Sequence, residues 1–189
     1  MKYIGHAFSW EQGSWLTAGI ILLGSSFLAL SPMADNLVSI SHWFGLSMLF
    51  AGCTNIFVSC KKRNTIHGSK WIFVDGLSTA LLSFFLLFNQ MILPAMIPFF
   101  FGVWELFSGI LKVVDAEELR NEKVRKWQWC MVIGGIELLS GVVALLKPVE
   151  EFIGMNVVIF VVLLIQSISY VLKVCNYSNL TMRDKRILN

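Results

Sequence analysis

The chain has 189 residues, 56% of them hydrophobic and only 14% charged. That balance excludes an ordinary water-soluble domain and points to a single integral membrane domain over residues 1–189. The formal net charge is +3, and the basic segments lack the soluble architecture of a nucleic-acid reader, so their charge is assigned to contact with anionic lipid headgroups.

Six apolar stretches follow one another, at 15–31, 37–59, 71–88, 91–114, 129–146 and 152–174. Each approaches the roughly 20 residues that a helix needs to cross a bilayer. Runs such as Val157 to Ile165 do not alternate apolar with polar residues, so barrel strands are excluded and helices expected. The sequence therefore predicts an all-α membrane protein with six transmembrane helices. Pro32 and Pro148 fall where helices should end, Pro94 in the first turn of the fourth span, and Pro98 deeper, where it would kink that helix.

The spans recur as three tandem two-helix hairpin repeats, approximately 15–60, 71–115 and 129–175. Gly19, Gly76 and Gly135 are each followed thirteen residues later by a turn residue, Pro32, Asn89 and Pro148. Thirteen further on stand Gly45, Gly102 and Val161, and seven beyond those Gly52, Gly109 and Ile168. Internal repetition of this kind fixes architecture before local propensity does. Glycines seven apart share one helix face. Gly19, Gly45, Gly52, Gly76, Gly102, Gly109, Gly135 and Gly141 are therefore expected to pack helix against helix, since small residues let backbones approach within lipid.

Cation placement orients the bundle. Of the fifteen Lys and Arg residues, Lys147 alone falls on the side of the short turns after the first, third and fifth spans. By the positive-inside rule the other side is cytoplasmic, and both termini lie there. No cleavable signal sequence is evident in the first fourteen residues, which carry His6, Glu11 and Gln12. Cys53, Cys60, Cys130 and Cys175 sit near cytoplasmic helix ends and are expected to be reduced. Trp43, Trp71, Trp127 and Trp129 fall near the interfaces, as an aromatic belt requires. The charged 115–127 connection reads as a helical extension leaving the membrane.

Four ionisable residues stand inside the spans: Asp75, Glu105, Lys112 and Glu137. A charge at mid-bilayer costs at least about 2.5–3.5 kcal/mol, so each needs a partner, a proton or water. Asp75 and Lys112 lie at similar shallow depth and form a candidate ion pair. Glu105 and Glu137 fall near the midplane and form a candidate intramembrane polar site, with Ser108, Ser140, Asn55 and Gln166 as hydrogen-bonding neighbours. They either relay protons or brace the bundle.

No catalytic, metal or cofactor motif is present. His6, His42 and His67 lie in three different segments, no Cys or His pair has ligand spacing, and neither a phosphate-cradling loop nor a nucleophile motif occurs. The chain is read as no enzyme, with no cofactor.

The segment from Trp15 through Gly19, Gly24 and Pro32 to Gly45 and Gly52, and again Gly135, Gly141 and Pro148, resembles the HdeD family of small bacterial inner-membrane proteins, built from the DUF308 repeat. Asn89 departs from the turn proline, and the last helix lacks both glycines. The resemblance implies a non-enzymatic, multi-pass protein of the bacterial cytoplasmic membrane acting in acid or envelope stress. The alternative is a small proton-coupled transporter or permeability pathway using the midplane carboxyls. The lipid bilayer is the implied partner, with self-association or other membrane proteins left open.

Overall fold

The computed structural model describes residues 9–31, 37–61, 69–88, 97–121, 127–146 and 154–187. Within them run six helices: α1 (Trp10–Ala29), α2 (Leu37–Lys61), α3 (Ser69–Phe88), α4 (Ile97–Asn121), α5 (Trp127–Leu145) and α6 (Met155–Ile187). The turn residues Pro32, Asn89, Pro94 and Pro148 lie outside the described residues.

Five of the six helices are long and apolar enough to cross a membrane. The fourth, α4, carries Glu105, Lys112 and Asp115 along its length. The surface supports the membrane reading from the outside. Phe27, Phe57, Leu81, Phe84, Phe88 and Leu139 are all more than half exposed, a display that water would penalise and lipid accepts. Polar groups lie within instead: Glu105, Glu137, Asn55 and Gln166 are buried beside Trp15, Phe44, Trp104 and Tyr170.

Some boundaries differ from the sequence expectation for identifiable reasons. The first helix begins at Trp10, five residues early, because Ser9 and Gln12 form a reciprocal cap. The Gln12 backbone N–H donates to Ser9 Oγ (3.3 Å), and the Ser9 N–H donates to Gln12 Oε1 (3.0 Å). Because α4 begins at Ile97, Pro98 occupies its first turn, where no intrahelical N–H is required, rather than the deeper position expected. The helical extension expected after residue 115 is present as far as Asn121, tied back by Trp71 Nε1 donating to Glu118 Oε2 (2.5 Å). At its C-terminal end α6 continues to Ile187, well past the expected end of its span.

The tightest helix pairs are α2 with α3, α4 with α5, and α1 with α6. These pairs join different hairpins, the first to the second, the second to the third and the third back to the first, rather than the two helices within one. All three are antiparallel, and glycine explains their closeness. A Cβ on Gly76 would meet Gly52 O at 2.8 Å and the Ile56 backbone nitrogen at 2.9 Å. A Cβ on Gly134 would meet Gly109 O and the Val113 nitrogen, both at 3.0 Å, and one on Gly19 would lie 3.5 Å from Ser167 O. Gly45 faces Leu87 as Gly102 faces Leu145, and Gly141 sits against Leu106 and Gly102 O.

These contacts correct the expected register of the third repeat. Gly134, not Gly135, takes the place of Gly76, and Ser167, not Ile168, that of Gly109; Gly135 faces open space. Matching positions thus stand 57 residues apart between the first two units and 58 between the second and third. The glycine pair at 134 and 135 permits both alignments, and only the packing chooses between them. Seven of the eight expected packing glycines stand against a neighbouring helix; Gly135 is the exception.

A test follows. Gly76→Val should loosen the α2–α3 contact by about 1–3 kcal/mol through overpacking. Gly135→Ala should leave stability unchanged or raise it slightly, since alanine is the better helix former. Unfolding in mild detergent would measure both.

Candidate functional site: a buried charge network

The corrected register brings Asn55, Lys112 and Tyr170 to matching positions of α2, α4 and α6. A fully satisfied knot surrounds Asn55. Its amide nitrogen donates to Asp75 Oδ2 (2.9 Å) and to the Tyr170 hydroxyl (2.8 Å). Its carbonyl oxygen accepts from Trp15 Nε1 (3.0 Å) and from Lys173 Nζ (3.4 Å). Both hydrogens and both lone pairs are therefore in use. Tyr170 donates onward to the Ala51 carbonyl (3.0 Å), and its ring carries Lys173 Nζ 4.6 Å from the centroid.

Two ion pairs lie in this interior. Lys173 Nζ stands 3.0 Å from Asp75 Oδ2, and Lys112 Nζ pairs with Glu137 Oε1. The candidate Asp75–Lys112 pair is thus replaced by an exchange of partners, although Lys112 still acts on Asp75 through space. Depth along single helices placed Asp75 and Lys112 together, but the close packing of α4 on α5 delivers Glu137 to the lysine first. Lys112 also donates to Ser108 Oγ, one turn back on its own helix (2.9 Å). The lysine side chains are 12% and 15% exposed while Glu137 is fully enclosed, so each ammonium can lean outward and its acid cannot.

Glu105 and Glu137 enter the same interior, linked through Ser140. The Ser140 hydroxyl lies 3.1 Å from Glu105 Oε1 and 3.0 Å from the Glu137 backbone carbonyl. Gln166 Nε2 donates to Glu105 Oε2 (2.8 Å). Among the described residues, no lysine or arginine reaches ion-pair distance of Glu105, and Glu137 Oε2 has no hydrogen-bond partner. The interior therefore holds three acids against two amines.

Beyond this network lies a layer of aromatic side chains. Phe44 and Phe101 meet edge to face with centroids 5.7 Å apart, and Phe101 leans on Trp104 at 6.1 Å. Trp104 Nε1 is satisfied by Thr79 Oγ1 (2.9 Å), at the position in α3 that matches Glu137 in α5. Near the other end, Lys61 and Glu11 tie α2 to α1 (3.3 Å).

Asn55, Gln166, Ser108 and Ser140 were legible as polar neighbours. Lys173 was read as one more cytoplasmic cation, and Tyr170 drew no attention. The register would have found Tyr170, since it aligns with Asn55 and Lys112.

Comparison with known families agrees with that register. Residues 17–88 and again 74–146 match the family described as "Short repeat of unknown function (DUF308)". The two matches begin 57 residues apart and end 58 apart, the spacing that the helix contacts require. No curated protein and no solved structure matches the chain. With the two matches together covering most of its length, this multi-helix, membrane-type chain belongs to the DUF308 family of short repeats.

Proposed function

We propose that this is a non-enzymatic protein of the HdeD type in the bacterial cytoplasmic membrane. Three hairpin units form a six-span bundle with both termini in the cytoplasm, and the protein acts in acid or envelope stress. The observation that carries this reading is the interior charge network, three acids and two amines enclosed by helices whose outer faces suit lipid. An acid left one counter-ion short is a group whose state follows proton supply. The sorting of cations to one side supports the orientation, and the repeat pattern supports the HdeD likeness.

The Phe44–Phe101–Trp104 layer favours a proton-responsive bundle over a carrier, because it interposes apolar side chains between the network and the far end of the helices. Two measurements test this. In acid challenge of cells, wild type should protect, and the Glu105→Gln/Glu137→Gln double variant should lose most of that protection. In proteoliposomes under a pH gradient, wild type should carry no more protons than empty vesicles. Sustained flux abolished by the double variant would make the protein a carrier instead.

A further inference from the structure

We infer that Glu105 is a proton-binding site: a neutral carboxylic acid whose hydroxyl donates to Ser140 while Glu137 remains a carboxylate paired with Lys112. Hydroxyl arithmetic leads there. Ser140 has one hydrogen and two oxygens within reach, Glu105 Oε1 and the Glu137 carbonyl. With Glu105 ionised, that single hydrogen can serve fully only one of the two oxygens, at 3.1 Å and 3.0 Å. With Glu105 neutral, Ser140 donates to the carbonyl and accepts from Glu105, so that both contacts are hydrogen bonds. The other Glu105 oxygen accepts from Gln166, as the carbonyl of a protonated acid does. The contacts that run from Gln166 through Glu105 and Ser140 to the Glu137 carbonyl are then all hydrogen bonds.

The charge surroundings agree. Glu137 is the charged group acting most strongly on Glu105, and its Oε2 has no hydrogen-bond partner in an enclosed interior, so a second anion beside it would be repelled without compensation. Lys112, on the same helix, also acts on Glu105 but is paired with Glu137. Ser140 of α5 and Gln166 of α6 touch Glu105 directly and are uncharged. The other charged groups of the network, Asp75 of α3 and Lys173 of α6, hold each other. A proton is the missing cation: of Asp75, Glu105 and Glu137, Glu105 is the one that no lysine or arginine among the described residues reaches.

This deepens the reading above by naming the group that responds. The folded bundle holds one proton that an unfolded chain gives up near neutrality. Its stability therefore rises as pH falls toward the ordinary glutamate range and falls as pH rises, which is the sign a protein serving in acid requires.

Infrared spectroscopy of the protein in lipid nanodiscs tests the assignment. A protonated-carboxyl band should be present in neutral buffer, absent in Glu105→Gln, and displaced in Ser140→Ala, which keeps the acid but removes its acceptor. Thermal stability should decline from mildly acid to mildly alkaline buffer in wild type and stay level in Glu105→Gln. No protonated-carboxyl band, a band surviving in Glu105→Gln, or a band unmoved in Ser140→Ala would each overturn the inference. Should Glu105→Gln fail to fold, the wild-type band and its displacement in Ser140→Ala still decide. The spectrum does not depend on the acid-challenge result, so a wild type that gives no acid protection but shows the band would refute the proposed role and leave the proton site standing.

Discussion

Lys112→Met should destabilise the bundle by about 3–5 kcal/mol, the usual cost of stranding one partner of a buried ion pair. The loss falls on Glu137, which is wholly enclosed and pairs with Lys112 through Oε1, while its Oε2 has no partner. Glu137→Gln should cost less. The Lys112 ammonium keeps Ser108 as an acceptor, and its partly exposed side chain can reach toward the interface. The double replacement Lys112→Met/Glu137→Gln should recover most of the first loss, since it leaves no charge behind. Thermal unfolding in detergent micelles, read for the three variants side by side, would show the ordering.

Asn55→Leu should be comparably severe for a different reason. It removes no charge, yet four groups lose a partner at once: the Trp15 indole, the Tyr170 hydroxyl, the Asp75 carboxylate and the Lys173 ammonium. Each buried polar group left unpaired costs about 1–3 kcal/mol. Asp75 and Lys173 retain each other, and Tyr170 retains the Ala51 carbonyl, so the loss should stay below the sum of four such costs. An Asn55→Leu variant as stable as the wild type would contradict that accounting, and thermal unfolding of the two in detergent would decide it.

The helix count, the approximate spans and the inward placement of charge were legible because apolar run length and glycine spacing are properties of a single segment. Partner choice was not. Asp75 and Lys112 have similar depth on neighbouring helices, and depth alone made them a pair. The structure pairs Lys112 with Glu137 because close contact runs between hairpins, α4 against α5, and Asp75 takes Lys173 from α6 instead. The missed register had the same root. Gly134 and Gly135 are interchangeable in a string of letters, and only the approach of Gly109 and Val113 tells them apart. Lys173 was hidden by its position, since a lysine near a span end is equally suited to lipid headgroups and to a carboxylate one helix away. Ser9 and Gln12 have the spacing of a capping box, a signal that the span boundary at residue 15 did not use.

Double-mutant cycles on the ion pairs give the most direct test of the network. Coupling should be large for Lys112 with Glu137 and for Lys173 with Asp75, because each pair is in contact, and small for Lys112 with Asp75. A dominant coupling between Lys112 and Asp75, with near-additive losses for the other two combinations, would contradict the exchange of partners. It would also remove the cation from Glu137, and with it the reason for singling out Glu105 as the acid that lacks one.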